Sequence, residues 1–453
     1  MTVVLPSLKI SSDFDSGNIQ VLDASNPRHL LLAIEPDTRS QHFQWFHFKV
    51  EGLQPGQSYS FELTNASQSS YNKAWTDYRA AASHDHHDWF RTDTRFDGES
   101  LHIQFQAEQP QAWFAYFEPY SRERHDWLIE QALTHAGTEL LATGKSAEGR
   151  DIQLLRKGNG DASKRKVWLI AQQHPGEHMA EWFMEGVIER LKNRDDAQLN
   201  ALLAVADLYL VPNMNPDGAF HGHLRTNAMG QDLNRAWQNA SPEISPEVFF
   251  VQQQMAVHGV DLFLDIHGDE EIPYVFTAGC EGNPGYTARI AELEEHFRRH
   301  LSALTRDFQT IHGYTRDLPG EANMTLACNS VGQQYDCLSL TLEMPFKDND
   351  DAPNARTGWS GDVCAKAGTV CPQRPSNAET ATCGAGSPAP AEIRARGQHG
   401  PPYRQGFRMT ALTSHAPGTA GTDVDPCRLF HRRFRRRRLG PAGALRQDPD
   451  RPG

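Results

Sequence analysis

Two hydrophobic rhythms divide the chain. Over residues 1 to about 118, apolar and polar positions alternate in short runs such as Phe43-Gln44-Trp45-Phe46-His47-Phe48 and Tyr59-Ser60-Phe61-Glu62-Leu63, broken by Gly and Pro turns. Period two with turns at this spacing predicts strands with one buried face and hence an antiparallel β-sandwich. Further along, the alternation gives way to continuous apolar runs: Val167-Trp168-Leu169-Ile170-Ala171, Leu208-Tyr209-Leu210-Val211, Leu262-Phe263-Leu264 and Leu338-Ser339-Leu340-Thr341-Leu342. Runs of this kind predict interior strands covered on both faces. Between the first two, Met179, Trp182, Phe183 and Val187 recur at helical spacing and predict an amphipathic helix.

The interior runs end in polar residues, and those ends carry the candidate chemistry. Val167–Ala171 passes through Gln172 and Gln173 into His174-Pro175-Gly176-Glu177, and Asp261–Ile266 stops at His267-Gly268. Open α/β sheets bind their ligands at the carboxyl ends of strands. A catalytic zinc takes three nitrogen or oxygen ligands and leaves a fourth position open, so His174, Glu177 and His267 form a candidate ligand set. A second arrangement, with ligands His174 and His178 one helical turn apart, needs continuous helix from 174 to 178, which Pro175 and Gly176 oppose. His178 and Glu181 are expected on a polar helix face beside the site. After Asp207–Asn213 come a turn, Asn215-Pro216-Asp217-Gly218, and then Arg225 and Asp232-Leu233-Asn234-Arg235. Arginine presents a fork that holds a carboxylate by two hydrogen bonds, so Asn234 and Arg235 are candidates for a substrate's terminal carboxylate. Arg225 is a candidate for steadying the oxyanion formed when water attacks a carbonyl. Glu343 sits inside an apolar run, where a carboxylate is costly unless used, and is a candidate general base.

These residues in this order resemble the zinc carboxypeptidase family, to which the digestive carboxypeptidases belong. His174, Glu177 and His267 match the family's zinc ligands, Glu343 its catalytic glutamate, Arg225 its oxyanion arginine, and Asn234 and Arg235 its carboxylate-binding pair. The segment from Asn215 to Arg235 and the short gap between Glu177 and His267 are most similar to the cytosolic carboxypeptidase branch. So is the passage Trp113-Phe114-Ala115-Tyr116-Phe117-Glu118-Pro119-Tyr120, which resembles that branch's junction between a small β-domain and the peptidase domain. The resemblance implies an α/β protein: a β-sandwich over 1–118, then an α/β/α catalytic domain with a mixed central sheet over 119–353. It implies one zinc ion and removal of a C-terminal residue from peptides or protein side-chain branches. Eukaryotic members of the branch remove glutamate. Where a Gly-Thr-Ala-Arg-like stretch is expected, this chain has Gly320-Glu321-Ala322-Asn323; Asn323 cannot neutralise an anion, and Arg306, Arg316 and Tyr314 are the other candidates. The alternative activity is a zinc-dependent amidohydrolase acting on small N-acyl amino acids.

Composition adds boundaries. No apolar stretch approaches the ~20 residues of a membrane span, and residues 1–18 lack a basic-then-apolar leader pattern, so a cytoplasmic enzyme is expected. Cys280, Cys328 and Cys337 lack disulfide-framework spacing and are expected to be free thiols. His84, His86 and His87 with Asp85 and Asp88 share no ligand spacing and are expected to form a polar loop rather than a second metal site. Residues 354–453 hold 16 Lys+Arg and 7 Asp+Glu, a net charge of +9 within a chain of net −13. The segment is rich in Pro, Gly and Ala and lacks apolar periodicity, which predicts disorder. Its run Arg432, Arg433 and Arg435–Arg438 is the one feature suited to nucleic acid. The composition matches a GC-rich gene read out of frame from near residue 360. On that reading, the terminal helix with which family members cover one sheet face is missing.

Overall fold

The computed structural model describes residues 8–370. Residues 9–115 build two five-stranded sheets. In one, Lys9–Ser11, His47–Glu51, Gln111–Ala115, Ala81–Ser83 and Trp89–Arg91 lie side by side; in the other, Gln20–Asp23, His29–Ala33, Ser58–Leu63, Leu101–Gln106 and Thr94–Phe96 do. Tyr59, Phe61 and Leu63 are buried while Ser60 and Glu62 are half-exposed, the alternation the sequence predicts. The inner faces meet through aromatic rings: Phe61 lies 4.7 Å from Phe114 and 5.8 Å from Phe48 of the facing sheet. One pairing departs from the antiparallel expectation, because His29–Ala33 runs parallel to Ser58–Leu63. The intervening strand His47–Glu51 crosses to the opposite sheet, so the chain returns in its original direction.

The four interior runs form the middle of a seven-stranded mixed sheet. Ala206–Val211, Arg165–Ala171, Leu262–Asp269 and Leu338–Pro345 are neighbours in that order and mutually parallel. Antiparallel strands flank them: Glu139–Lys145 and Asp151–Lys157 on one side, Phe276–Ala278 on the other. Successive residues serve two cores. Leu169, Leu208, Leu210, Leu264, Leu340 and Leu342 pack with the helix Met179–Leu191. Trp168, Ile170, Tyr209, Val211 and Phe263 pack with Val248, Val251 and Met255 of Pro246–His258 and with Ala327 and Val331 of Ala327–Tyr335. Each fully buried aliphatic side chain contributes about 1.5–3 kcal/mol, which is why these strands tolerate so few polar positions. The parallel strands bring their carboxyl ends to one edge, and the register sets His267 directly opposite Glu343 there.

A helix absent from the sequence-based expectation is present at the end of the described chain. Gly361–Val370 packs on Met179–Leu191 through glycines. A Cβ at Gly186 would lie 1.7 Å from the Ala365 carbonyl oxygen, and one at Gly368 would lie 2.0 Å from that of Phe183. Contact of backbone on backbone selects small residues rather than an apolar stripe, so hydrophobic periodicity does not mark it. Trp359 and Cys364 are buried nearby. Arg91 of the sandwich donates to the carbonyls of Phe346 at 2.6 Å, Thr357 at 3.2 Å and Trp359 at 3.2 Å. The folded chain therefore continues past the expected boundary at 353, and residues 354–370 are not a disordered tail. The expectations of disorder, a shifted frame and an Arg432–Arg438 nucleic-acid contact otherwise fall on residues 371–453, outside the described residues. Among the described residues, no helix is long and apolar enough to cross a membrane.

The glycine contact gives a stability prediction. Gly186→Val forces two side-chain methyls into the space of the Ala365 carbonyl, and overpacking of this kind costs about 1–3 kcal/mol. Urea denaturation should show a lower midpoint with an unchanged slope; an unchanged midpoint would show that the two helices do not touch in solution.

Candidate active site

The strand Arg165–Ala171 ends in a turn made for close approach. Gln172 takes a φ of 57°, a left-handed conformation that costs a non-glycine residue about 1–3 kcal/mol and persists only where the surroundings hold it. Its side chain donates to the Pro175 carbonyl at 2.9 Å. Gly176 donates its N–H to the Leu224 carbonyl at 2.9 Å, and a Cβ there would press on the same oxygen. Residues 174–177 are thus a loop, and helix begins only at Met179. This excludes a ligand pair one helical turn apart. The His178 Nδ1 accepts the Tyr120 N–H at 2.9 Å, and its ring stacks on Trp45 of the sandwich at 4.3 Å. Glu181, expected on a polar face, is fully buried and bonded to Asn213 at 2.9 Å and to His125.

His174, Glu177 and His267 converge, all of them buried, with one ligand atom from each within 4.8 Å of the others. The Glu177 carboxylate lies between the rings, 2.6 Å from His174 Nδ1 and 2.8 Å from His267 Nδ1. It also accepts the Gly268 N–H at 3.1 Å. Each imidazole is held on its far side by an aspartate: His174 Nε2 is 3.0 Å from Asp232, and His267 Nε2 is 2.9 Å from Asp265. Carboxylate–histidine pairs of this form fix the tautomer and raise ligand basicity in zinc sites. Two imidazoles and a carboxylate match the donor set of a catalytic zinc. The donor set fits that metal.

The remaining candidates face the same cavity of about 210 Å³, which His174, Glu177, Arg225, Asn234, Arg235, His267 and Glu343 all line. Arg225 is buried and donates from Nε to Asp232 at 2.8 Å. Asn234 spends its side-chain oxygen on the Ala327 N–H at 2.8 Å, and Arg235 donates to the Asn234 carbonyl at 3.1 Å. Glu343 Oε1 accepts from the Tyr314 hydroxyl at 3.2 Å, and its Oε2 is buried without a partner. Burial pushes the Glu343 carboxyl well above the usual carboxylate range; Glu177 and Asp269 add to this and His267 opposes it.

Sequence reasoning passed over several residues here. Asp232 and Asp265 are legible in hindsight, one opening Asp-Leu-Asn-Arg and the other two positions before His267 on the same strand face. Glu270, buried in the cavity wall, carries no such signal. Among the specificity candidates, Arg316 lines the cavity, paired with Glu281 at 3.2 Å. Tyr314 is committed to Asp269 at 2.7 Å and to Glu343. Asn323 and Arg306 do not line the cavity; Arg298 does, 3.6 Å from Glu281. The His84–Asp88 segment is a turn in which Asp85 caps the N–H groups of His87 and Asp88. His174, Glu177 and His267 are the metal-ligand group found among the described residues. Cys280, Cys328 and Cys337 are free and buried.

A mixed sheet that ends in two imidazoles, a bridging carboxylate, a buried glutamate with one unpaired oxygen and two arginines defines a metal-dependent hydrolase. Family comparison makes this specific: residues 125–350 match the model described as "Zinc carboxypeptidase", and residues 10–117 match "Cytosolic carboxypeptidase N-terminal domain". The chain belongs to the zinc carboxypeptidase family. A solved metallo-carboxypeptidase from Pseudomonas aeruginosa, in complex with (2-guanidinoethylmercapto)succinic acid, is similar at 62% identity and TM-score 0.79, over 80% of this chain and 96% of that one. The metallo-carboxypeptidase of Burkholderia cenocepacia is similar at 42% identity and TM-score 0.78, over 80% and 97% of the two chains. An uncharacterized protein of Zymomonas mobilis shares 44% identity over 81% of this chain and 95% of its own length. Cytosolic carboxypeptidase 1 of Homo sapiens shares 28% over 60% of this chain, which spans only 26% of that protein.

The aspartates behind the histidines yield a metal-affinity prediction. Asp265→Asn and Asp232→Asn should each weaken zinc binding roughly 10–100-fold, the usual effect of losing an outer partner. Competition with a chromophoric chelator measures it, and wild-type affinity in both variants would remove these residues from the site.

Proposed function

We propose that this chain removes one residue at a time from the C-terminus of a peptide or of a glutamate side-chain branch. The observation that carries this reading is the convergence of His174, Glu177, His267, Arg225, Asn234, Arg235 and Glu343 on one cavity. Arg235 and Asn234 dock the terminal carboxylate, which places the last peptide bond beside the three ligands. Zinc held by His174, Glu177 and His267 would supply Lewis acidity to polarise the scissile carbonyl and activate water. Glu343 takes the proton of the attacking water at its partnerless Oε2 and hands it to the departing amine. Arg225 faces the oxygen on which negative charge develops, in a dry setting where such contacts are strongest. We place the activity in the cytoplasm, which the name of the cytosolic relatives supports.

The finer reading is that the departing residue is glutamate, supported by Arg298 and Arg316 in the cavity wall. A second specificity, for a cationic side chain, is favoured by Glu281 and Asp317 in the same wall and by the guanidino arm of the ligand in the Pseudomonas complex.

Zinc-loaded protein incubated with peptides ending in Glu, Asp, Lys, Arg, Leu and Phe, and with a γ-linked glutamate branch, tests both. Stepwise loss of single C-terminal residues, followed by mass and abolished by a chelator, is expected, and the fastest substrate identifies the pocket. Hydrolysis of N-acyl amino acids with every peptide untouched would replace this reading with an amidohydrolase. Glu343→Gln should lower kcat by roughly 10²–10⁴-fold, the range for a lost general base, with zinc content unchanged. Near-normal turnover in that variant would remove Glu343 from the base role.

A further inference from the structure

Arg225 is held from outside the sheet that carries the metal ligands. Residues 222–226 lie against the N-terminal sandwich, where Asn18 donates to the Gly222 carbonyl at 2.9 Å. The Asp37 carboxylate accepts three successive backbone N–H groups, from Leu224 at 2.6 Å and from Arg225 and Thr226 at 2.8 Å each. It also accepts the Thr226 hydroxyl at 3.1 Å. The guanidinium of Arg225 itself donates to the Tyr71 hydroxyl. Tyr71 is anchored in turn: its N–H donates to Gln44 at 2.8 Å, and its carbonyl accepts from the Gln44 amide at 3.2 Å. That amide is fully buried and also bonds Tyr116 at 2.8 Å.

A guanidinium is planar, so two contacts on different nitrogens fix its plane as well as its position. Asp232 holds Nε and Tyr71 holds a terminal nitrogen, and the remaining donors are left for the cavity that Arg225 lines. We propose that Tyr71 is a positioning residue that orients Arg225 toward the developing oxyanion, so that the N-terminal sandwich is a working part of the active site. This rests on the carboxypeptidase reading above. A tyrosine that only filled the interface between sandwich and sheet would contribute its ring, and phenylalanine would replace it without kinetic consequence. A tyrosine that aims a guanidinium contributes its hydroxyl. Misplacing a catalytic group by about 1 Å costs about 100-fold in rate, so a small rotation of Arg225 is enough to be measured.

Tyr71→Phe in the full-length, zinc-loaded chain separates the two. Expected are a loss in kcat of roughly 10–100-fold with KM little changed, and an equal loss of affinity for a phosphonate peptide that mimics the tetrahedral adduct. Affinity for the released amino acid, zinc content and thermal midpoint should stay at wild-type values. Asp37→Asn, which loosens the same segment through its backbone, should shift kcat and phosphonate affinity in the same direction. Wild-type kcat and phosphonate affinity in Tyr71→Phe would overturn the proposal while leaving the carboxypeptidase reading intact. So would a Tyr71→Phe protein whose zinc content or midpoint falls with its activity, because Tyr71 would then be structural. A wild-type chain inert toward every peptide and blind to the phosphonate would overturn the carboxypeptidase reading and this proposal together.

Discussion

Two imidazoles from different strand ends must meet one carboxylate, and the geometry of Glu177 makes this possible. Its two oxygens reach His174 on its own loop and His267 on the neighbouring strand, and one of them also accepts the Gly268 N–H. The loop gets there only because Gln172 adopts a left-handed backbone and Gly176 lets Leu224 approach without a side chain between them. The same contact at Leu224 sets where the Arg225 segment begins. A change in this turn would therefore move ligand, carboxylate and oxyanion residue together, which is why so much hydrogen bonding converges on it.

Charge balance explains the surroundings. Glu177, Asp265, Asp269, Glu270 and Glu343 are all buried in this region, with Arg225 as a buried cation among them. Burial first, and neighbouring carboxylates after it, push Asp269, Glu270 and Glu343 upward. Unpaired buried charge is costly, and a divalent cation is the group that offsets several carboxylates at once. The donor set of His174, Glu177 and His267 is the observation that points to such an ion. The sandwich takes part in this balance, since Asp37 and Tyr71 both come from it.

Much of this was legible along the chain. The four apolar runs are the four parallel strands; His174 and Glu177 follow the end of one, His267 closes another and Glu343 lies within a third, and all four residues line the cavity. Alternation at Tyr59–Leu63 located one inner face of the sandwich. Gly361–Val370 was not legible, because glycine-mediated backbone contact leaves no apolar period to read. Nor was Glu270, a carboxylate whose burial depends wholly on what folds over it.

Sequence alone carried the four parallel strands and their ends and named the seven candidate residues, because those depend on local periodicity and on side-chain chemistry. It also carried the family, through the order and spacing of those residues. Tertiary structure decided which groups stand behind them. Asp232 and Asp265 back the histidines, Tyr71 and Asp37 reach Arg225 from another sheet, and Arg298 replaces Asn323 in the cavity wall. Asp232, Tyr71 and Asp37 lie tens to hundreds of residues from the groups they hold, and no local period records those contacts; Asp265, two positions before His267 on one strand, is the exception.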